Sequence, residues 1–204
     1  MNANKKQSVK EYLSGLQDRL CNVFGGEQKH LWNKHQWHRL EGGGGSSRVL
    51  TNGSIIEKAG INTSHIFGSM LPSSATEARP ELRGRSYEAM GLSLVIHPQN
   101  PYAPTAHANV RFFVSEKSGH DTVWWFGGGY DLTPYYGNEE DCYHWHSTAK
   151  AACDPFSLHF YSRFKKACDD YFYLPHRCEA RGIGGLFFDD FNELGFEKSF
   201  ALLQ

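Results

Sequence analysis

The sequence predicts an α+β fold in which helices pack on an antiparallel β-sheet. Strand-like segments follow one another through the middle of the chain, at Ser54–Ile56, Ser93–His97, Ala108–Val114 and Val123–Gly127. Helical segments come after them, at Asn138–Ala152, at Phe156–Leu174 and from about Glu193 onwards. Successive strands followed by helices indicate an antiparallel sheet rather than a series of β-α-β units.

A further helix is predicted near the N-terminus. Apolar side chains recur there every three or four residues, at Val9, Leu13, Leu16, Leu20 and Val23. We expect this amphipathic helix to dock on the core. The segment has no continuous apolar region followed by a small-residue cleavage site, so we expect no signal peptide. No stretch approaches the roughly 18 apolar residues of a membrane span, so we expect no integral membrane contact.

The composition is typical of one folded domain, which we place at residues 1–204. The chain has 204 residues, of which 21 are basic and 22 acidic. This balance lacks the basic surface that nucleic acids require, so we expect no nucleic-acid partner. The five cysteines are odd in number and contain no C-x-x-C pair. They favour a reducing compartment, the cytoplasm, and argue against a zinc ribbon, a c-type haem and the C-x-x-x-C-x-x-C cluster of radical enzymes.

Two adjacent predicted strands carry polar residues at alternate positions. One side of the first strand presents Ser93, Val95 and His97. One side of the second strand presents His107, Asn109 and Arg111. If the strands form a hairpin and the two rows share a face, these side chains converge on one site. The alternative is a sheet with one face in water, which is common for antiparallel sheets. Such faces usually carry Lys, Glu and Thr rather than His, Asn and Arg.

Two glycine-rich segments have more than one interpretation. Gly42–Gly45 is either a flexible loop or a close backbone approach to an anionic ligand, and it lacks the ending of a nucleotide P-loop. Gly127–Gly129 indicates a bulge or a place where something flat approaches the backbone. Asp131 follows it, either as a base, as a partner of Arg111 or as a turn-forming residue.

The histidines suggest a site only if distant segments meet. His144 and His146 lie two residues apart on a predicted helix, so they point to nearly opposite sides and do not bind one metal as a pair. One of them could join His97, His107 or His176 in a site of scattered histidines.

The C-terminal region contains a predicted core and two adjacent carboxylates. Side chains at helical spacing form part of the core, namely Phe160, Phe164, Ala167, Cys168 and Tyr171. Asp189 and Asp190 lie in a predicted strand, and we expect them to point to opposite faces, which disfavours a shared-proton pair.

Five longer motifs stand out: GGGGSSRVL, EKAGINTSHIFG, RPELRGRSYEAMGLSLVIHPQNPYAPTAHANVRFF, WWFGGGYDLTPYYG and RGIGGLFFDDFNELGF. In this order they resemble the oxygen-dependent coproporphyrinogen-III oxidases, from about Val9 to Gln204. The resemblance implies oxidative decarboxylation of two propionates of coproporphyrinogen III by molecular oxygen, giving protoporphyrinogen IX, carbon dioxide and hydrogen peroxide. It also implies a large antiparallel sheet with helices on both faces, a homodimer, and no organic cofactor.

The same resemblance assigns roles to individual residues. It implies that Ser93 and the segment Asn109, Val110 and Arg111 bind substrate, that His107 is the proton donor, and that Asp131 engages the pyrrole nitrogens. Some family members are described with a divalent metal, of the manganese type, on histidines that match His97, His107, His146 and His176. Others are held to need no metal. The resemblance therefore favours His146 over His144.

Two other functions are consistent with the residues alone. A non-haem iron oxygenase would use two histidines and a carboxylate at one open metal face. A tetrapyrrole-binding module would bind the macrocycle without catalysis.

The resemblance also bears on chain length. Family members continue well past the position that matches Gln204, and the last predicted helix ends without a capping glycine. We therefore expect a C-terminally incomplete domain. We expect the 204-residue chain to be inactive and prone to aggregation when expressed alone, because open sheet edges and apolar faces would remain.

Overall fold

A seven-stranded antiparallel sheet dominates the fold, which is given by a computed structural model that describes residues 1–71, 76–77 and 79–204. Its strands are β1 Asn33–His38, β2 Gly43–Thr51, β3 Ile56–Gly68, β4 Ser86–Pro98, β5 Thr105–Glu116, β6 Val123–Thr133 and β9 Gly184–Phe191. They lie in the order β1-β2-β3-β4-β5-β6-β9. A separate two-stranded hairpin consists of β7 Tyr173–Leu174 and β8 Glu179–Ala180.

Four α-helices accompany the sheet in the described part of the chain. They are α1 Ala3–Gly25, α2 Glu139–Cys153, α3 Phe160–Tyr171 and α4 Gly195–Leu203. Short 3₁₀ helices lie at Gly26–Leu31 and Pro80–Leu82. Among the described helices, none combines the length and the apolar character needed to cross a membrane. The predicted α+β fold with a large antiparallel sheet is confirmed.

Three of the four predicted strands lie within β4, β5 and β6. The strand predicted at Ser54–Ile56 is wrong for Ser54 and Ile55, which form the bend before β3, and right for Ile56, where β3 begins. The long predicted helix is shorter than expected, since α3 ends at Tyr171 and Tyr173–Leu174 form β7. The prediction of α2 is confirmed, with the Asn138 side chain accepting a hydrogen bond from the backbone N–H of Asp141.

Within the segment Gly42–Gly45 only Gly42 belongs to a loop, the bend between β1 and β2, because Gly43–Gly45 begin β2. A Cβ at Gly45 would lie 2.3 Å from the backbone oxygen of Thr63 and 2.5 Å from the Trp37 ring. The glycines therefore let β1 and β3 approach β2 closely, and the space that a ligand would need is filled by protein.

The sheet has two unlike faces, because side chains alternate along each strand. We call the first the helical face; it carries buried apolar side chains, including Met90, Leu92, Leu94, Ile96, Phe112 and Phe126. We call the second the polar face; it carries Ser93, Asn109, Arg111, Gly127 and Asp131. The first face holds most of the core and the second holds most of the candidate site.

Helix α1 packs on the helical face, as predicted. Val9 and Leu13 are buried in the main core, and Leu16 and Leu20 pack against it. Val23 is the exception, since 73% of it is exposed. The helix is also held by the buried amide of Gln17, whose Nε2 donates to the carbonyls of Ser46 and Ile61. These two hydrogen bonds fix α1 to both β2 and β3.

A second core cluster joins α2 and α3 to β9. It comprises Ala149, Cys153, Phe160, Phe164, Leu186 and Phe191. Helix α3 begins on the helical face, where Phe164 packs against Phe188, and its last residue Tyr171 stacks on Phe187 of the opposite face. On the second face the end of α3 and the residues that follow it therefore supply part of the cover that the resemblance implies.

The burial of the thiols predicts a simple labelling pattern. Burial raises the pKa of Cys153 to about 11 and that of Cys168 to about 12, whereas Cys178 is exposed. Because only the thiolate reacts, iodoacetamide at pH 8 should alkylate Cys178 rapidly and leave the two buried thiols intact until the chain is denatured. Mass spectrometry of labelled peptides measures this order. Early labelling of Cys168 would contradict the packing of α3 on β9.

Candidate active site

The polar rows of β4 and β5 lie on one face of the sheet. In the register of these strands Ser93 pairs with Asn109, and His107 and Arg111 lie two residues to either side of Asn109. Paired residues point to the same face, so the rows converge as one of the two sequence interpretations predicts. Val110 differs, because its side chain packs against the core on the helical face. Only its backbone borders the candidate site.

A buried carboxylate connects His107 to a cation. Asp131 lies directly opposite His107 in the register of β5 and β6. The ring nitrogen Nδ1 of His107 lies 2.7 Å from Oδ1 of Asp131. Arg181, which follows β8, donates to Oδ2 from Nη2 at 2.8 Å and from Nε at 3.2 Å. Only 1% of the Asp131 side chain is exposed, and both of its oxygens have partners.

This arrangement determines which nitrogen of His107 faces a ligand. An ionised carboxylate only accepts hydrogen bonds, so Nδ1 carries the proton and donates it to Asp131. The other nitrogen, Nε2, is left for acid–base exchange with a bound molecule. The ring also contacts Phe172 edge to face, with centroids 5.9 Å apart, and the Arg181 guanidinium lies 3.8 Å from the Phe172 ring centroid. These contacts orient the imidazole.

The imidazole borders a small cleft on the polar face. The cleft has a volume of about 320 Å³ and is lined by His107, Asn109, Arg111, Gly128, Gly129, Tyr171, Phe172, Arg181 and Phe187. Its walls combine a histidine, two guanidinium groups and three aromatic rings. It therefore offers proton exchange, anion binding and a flat apolar surface within one space.

Asp131 occupies a different place from the one that the resemblance implies. An aspartate that removes a pyrrole proton directly would need a free oxygen at the cleft surface. Here the carboxylate is buried, with His107 on one oxygen and Arg181 on the other. Asp131 is therefore absent from the lining of the cleft, and its contact with that space is through the imidazole of His107. It does not pair with Arg111 either, since four residues of strand, about 13 Å, separate it from Gly127, which lies opposite Arg111.

Arg111 pairs instead with Asp189 of β9. Its Nη2 lies 2.8 Å from Oδ2 of Asp189, and its Nη1 donates to Oδ1 of Asn109 at 3.1 Å. A Cβ at Gly127 would lie 2.5 Å from Oδ1 of Asp189 and 2.7 Å from Nε of Arg111. Gly127 is therefore the position that allows this ion pair to lie across β6.

The other two glycines of the segment are also explained by protein contacts. A Cβ at Gly128 would lie 2.9 Å from the carbonyl oxygen of Asn109, and one at Gly129 would lie 2.2 Å from that of Leu186. The three glycines thus provide close contacts within the sheet. Gly128 and Gly129 also line the small cleft, so the approach of a flat ligand to their backbone stays a prediction.

Asp189 and Asp190 point to the same face, so the prediction of opposite faces is wrong. Two residues of β9 lie opposite Gly127, because the register shifts between the pairs Phe126–Phe191 and Gly128–Phe188. Asp190 also has a positive φ of 56°. This bulge turns both carboxylates onto the polar face.

A second cleft lies on the polar face beyond Arg111. It has a volume of about 550 Å³ and is lined in part by Ser93, Asn109, Arg111, Trp125, Asp189 and Asp190, together with Arg79. Arg79 forms an ion pair with Asp190 and lies over the Trp125 ring, 4.4 Å from its centroid. Arg111 and Asn109 line both clefts, which therefore border each other.

The four histidines implied as metal ligands are not brought together. His97 contacts Thr105 at 3.4 Å, and His176 is exposed in the turn between β7 and β8. Nε2 of His146 donates to the carbonyl of Ile183 at 3.0 Å, and its buried Nδ1 has no hydrogen-bond partner. Over the described residues, no group of three or more His, Cys, Asp or Glu side chains is placed to hold a metal. The residues present do not fit a four-histidine metal site.

The sequence patterns do not indicate Arg79, Arg181 or the role of Asp189 as parts of the site. Arg181 reaches the site because the β7–β8 hairpin returns the chain to β6, and two-residue strands have too little periodicity to be predicted. The only available signal was the motif RGIGGLFFDD, which places an arginine and two carboxylates around a glycine-rich strand.

A comparison with known families identifies the family of the chain. The family model described as coproporphyrinogen III oxidase matches residues 8–204, which is nearly the whole sequence. The matched region includes every strand of the sheet and both clefts of the polar face. The chain therefore belongs to the coproporphyrinogen III oxidase family.

Proposed function

We propose that the polar face is the active site of an oxygen-dependent coproporphyrinogen III oxidase, which converts two propionate side chains to vinyl groups. Family membership supports the substrate and the oxidoreductase class. The observation that carries the proposal is the hydrogen-bonded set His107, Asp131 and Arg181 beside the Arg111 guanidinium, within one cleft. It combines a proton-exchanging group with a carboxylate-binding group.

The chemistry balances for each propionate with one molecule of oxygen. A C–H bond on the ring-attached carbon and the bond to the carboxylate carbon break, and a carbon–carbon double bond forms. The carboxylate leaves as carbon dioxide. Two electrons, the proton from the C–H bond and one further proton reduce oxygen to hydrogen peroxide.

His107 is suited to supply or accept a proton in this reaction. Nδ1 of His107 donates its proton in a hydrogen bond to Asp131, so Nε2 exchanges protons at the cleft while Asp131 stabilises the imidazolium when it forms. Asp131 is therefore a positioning residue in this proposal. Arg181 pairs with the buried Asp131 carboxylate and donates hydrogen bonds to Oδ2, the oxygen that His107 does not contact.

Arg111, Asn109 and Ser93 are suited to hold the substrate. A guanidinium matches a carboxylate with two parallel hydrogen bonds, and Asn109 already orients Arg111 through its Oδ1. Ser93 pairs with Asn109 in the register and lines the larger cleft. The substrate would contact Val110 through backbone atoms only.

The cysteines support the oxygen-dependent branch of the chemistry and a reducing compartment. A radical mechanism uses the C-x-x-x-C-x-x-C cluster motif, which this sequence lacks. Cys21, Cys153 and Cys168 are buried within the fold, and all five cysteines are free. Free thiols persist in reducing compartments, and on that ground we place the reaction in the cytoplasm.

The direct test is a turnover assay with purified protein and coproporphyrinogen III. We expect protoporphyrinogen IX, with two carbon dioxide and two oxygen molecules per substrate, in air and without S-adenosylmethionine. Running the 204-residue chain beside a C-terminally extended version tests the expectation that the chain alone is inactive. Binding of the macrocycle without oxygen uptake by either version would instead identify a binding module. The variants below use the version that turns over.

Replacing the buried carboxylate should slow turnover with little effect on binding. In Asp131→Asn the amide no longer fixes the His107 tautomer, and we expect kcat to fall by about a hundredfold or more. KM should change by less than about threefold. Steady-state kinetics measure both quantities.

Two controls accompany this prediction. Asp170→Asn removes a carboxylate from an exposed pair with Lys166 and should leave kcat unchanged. His107→Gln should be as slow as the double variant with Asp131→Asn, because both substitutions remove the same function. Additive losses would show that Asp131 acts independently of His107.

The glycine beneath the Arg111–Asp189 pair should affect binding more than turnover. A methyl group in Gly127→Ala meets both partners of the ion pair, so Arg111 should be displaced and KM should rise by about tenfold. Gly137→Ala is the matched control, since nothing lies within 4 Å of a Cβ at that position. Unchanged KM in Gly127→Ala would mean that Arg111 does not bind the substrate.

A further inference from the structure

Two arginine–aspartate pairs lie side by side in the larger cleft of the polar face. Arg111 pairs with Asp189, and Arg79 pairs with the next residue, Asp190. All four side chains line the same space of about 550 Å³. Arg79 arrives from the segment before β4, far from β9 in the sequence, so the second pair is not a consequence of strand pairing.

The bulge in β9 allows Asp189 and Asp190 to lie on the same face of the sheet. A regular strand would turn one of the two carboxylates to the helical face. The extra residue and the positive φ of Asp190, 56°, bring both carboxylates to the arginines instead. A strained non-glycine residue of this kind is retained where the surrounding structure requires it, which is often at a functional site.

Neither ion pair is buried, and both can exchange. The side chains of Arg79 and Asp190 are 33% and 49% exposed, and those of Arg111 and Asp189 are 37% and 43% exposed. Pairs at this exposure contribute little to stability, so a ligand carboxylate can replace the aspartate at low cost. Exchange is also required at Arg111, because Nε and Nη2 face Asp189 and Nη1 donates to Asn109.

Trp125 keeps Arg79 in position for such an exchange. The guanidinium lies 4.4 Å from the ring centroid, and Phe113 stacks on Trp125 with centroids 4.2 Å apart. A cation–π contact of this kind holds the guanidinium over the ring without using its N–H groups as donors to the aromatic side chain. The planar fork is thus preorganised for a carboxylate.

We propose that Arg79 and Arg111 form a clamp that binds two carboxylates of one substrate molecule, and that Asp190 and Asp189 close this clamp when no substrate is bound. The identity of the ligand rests on the proposed function, since coproporphyrinogen III carries four propionates. A ligand with a single carboxylate opens only one pair. The clamp therefore selects for macrocycles that present two carboxylates together, and Arg79 is a substrate-binding residue.

The test separates binding by Arg79 from a structural role of its ion pair. Purified protein is titrated with coproporphyrin III, the stable oxidised tetracarboxylate, and with its tetramethyl ester, and tryptophan fluorescence quenching gives Kd. The variants are Arg79→Gln, Arg79→Lys, Asp190→Asn and, as matched control, Arg83→Gln, an exposed arginine outside the cleft. Melting temperatures are measured for each variant.

The clamp predicts an asymmetric result. Arg79→Gln should weaken coproporphyrin III binding by about ten- to a hundredfold, and Arg79→Lys by less. Asp190→Asn should leave the affinity unchanged or raise it, because it frees Arg79. Arg83→Gln should have no effect, and the ester should bind all variants equally.

Other outcomes have distinct meanings. Equal weakening by Arg79→Gln and Asp190→Asn would show that the pair is structural and would overturn the clamp. Normal turnover of coproporphyrinogen III with an unchanged Kd in Arg79→Gln would overturn the clamp and leave the proposed function intact. Arg79-dependent binding without turnover by either the 204-residue chain or the extended version would support the clamp and contradict the proposed function. Absence of coproporphyrin III binding by the unsubstituted protein would overturn the clamp directly.

Discussion

The buried carboxylate of Asp131 is the interaction on which the site depends. It joins β5, β6 and the chain that leaves the β7–β8 hairpin, because His107 and Arg181 each occupy one of its oxygens. Removing either partner would leave one oxygen of the buried carboxylate without a hydrogen bond, which typically costs about 1–3 kcal/mol or more. The position of the imidazole and the docking of Arg181 are therefore one coupled arrangement. Phe172, which contacts both His107 and Arg181, adds to the same arrangement.

The sheet supplies the frame within which that interaction forms. The apolar side chains of the helical face bury α1 and α4, and the two-residue repeat of the strands leaves the alternate residues for the polar face. The candidate site thus follows from the same alternation that builds the core. Its polar groups lie on long central strands, β4, β5 and β6, whose register is fixed by buried residues on the opposite side.

Much of this arrangement could be predicted from the sequence where the pattern was strong. The central strands and the polar row of Ser93, Asn109 and Arg111 follow from alternation, and α2 follows from its cap and first-turn charges. β3 was missed because its residues alternate weakly. The partner of Arg111 and the contact of Arg181 were missed for a different reason. They depend on a bulge and a short hairpin, and neither produces a periodic signal. The metal site also could not be predicted from residue positions alone. The resemblance implied four histidines as ligands of one metal, and over the described residues they do not form such a group.

The extra residue in β9 has a consequence for how this family can vary. Substituting Asp189 or Asp190 changes a single side chain, whereas deleting one residue between Phe188 and Phe191 would abolish the bulge. In the shortened strand one aspartate position would then face the core, and the arginine that pairs with it on the polar face would lose its partner. Natural variation should therefore tolerate exchanges of residue type along β9 more readily than any insertion or deletion, and the length of this strand is the quantity that selection must preserve.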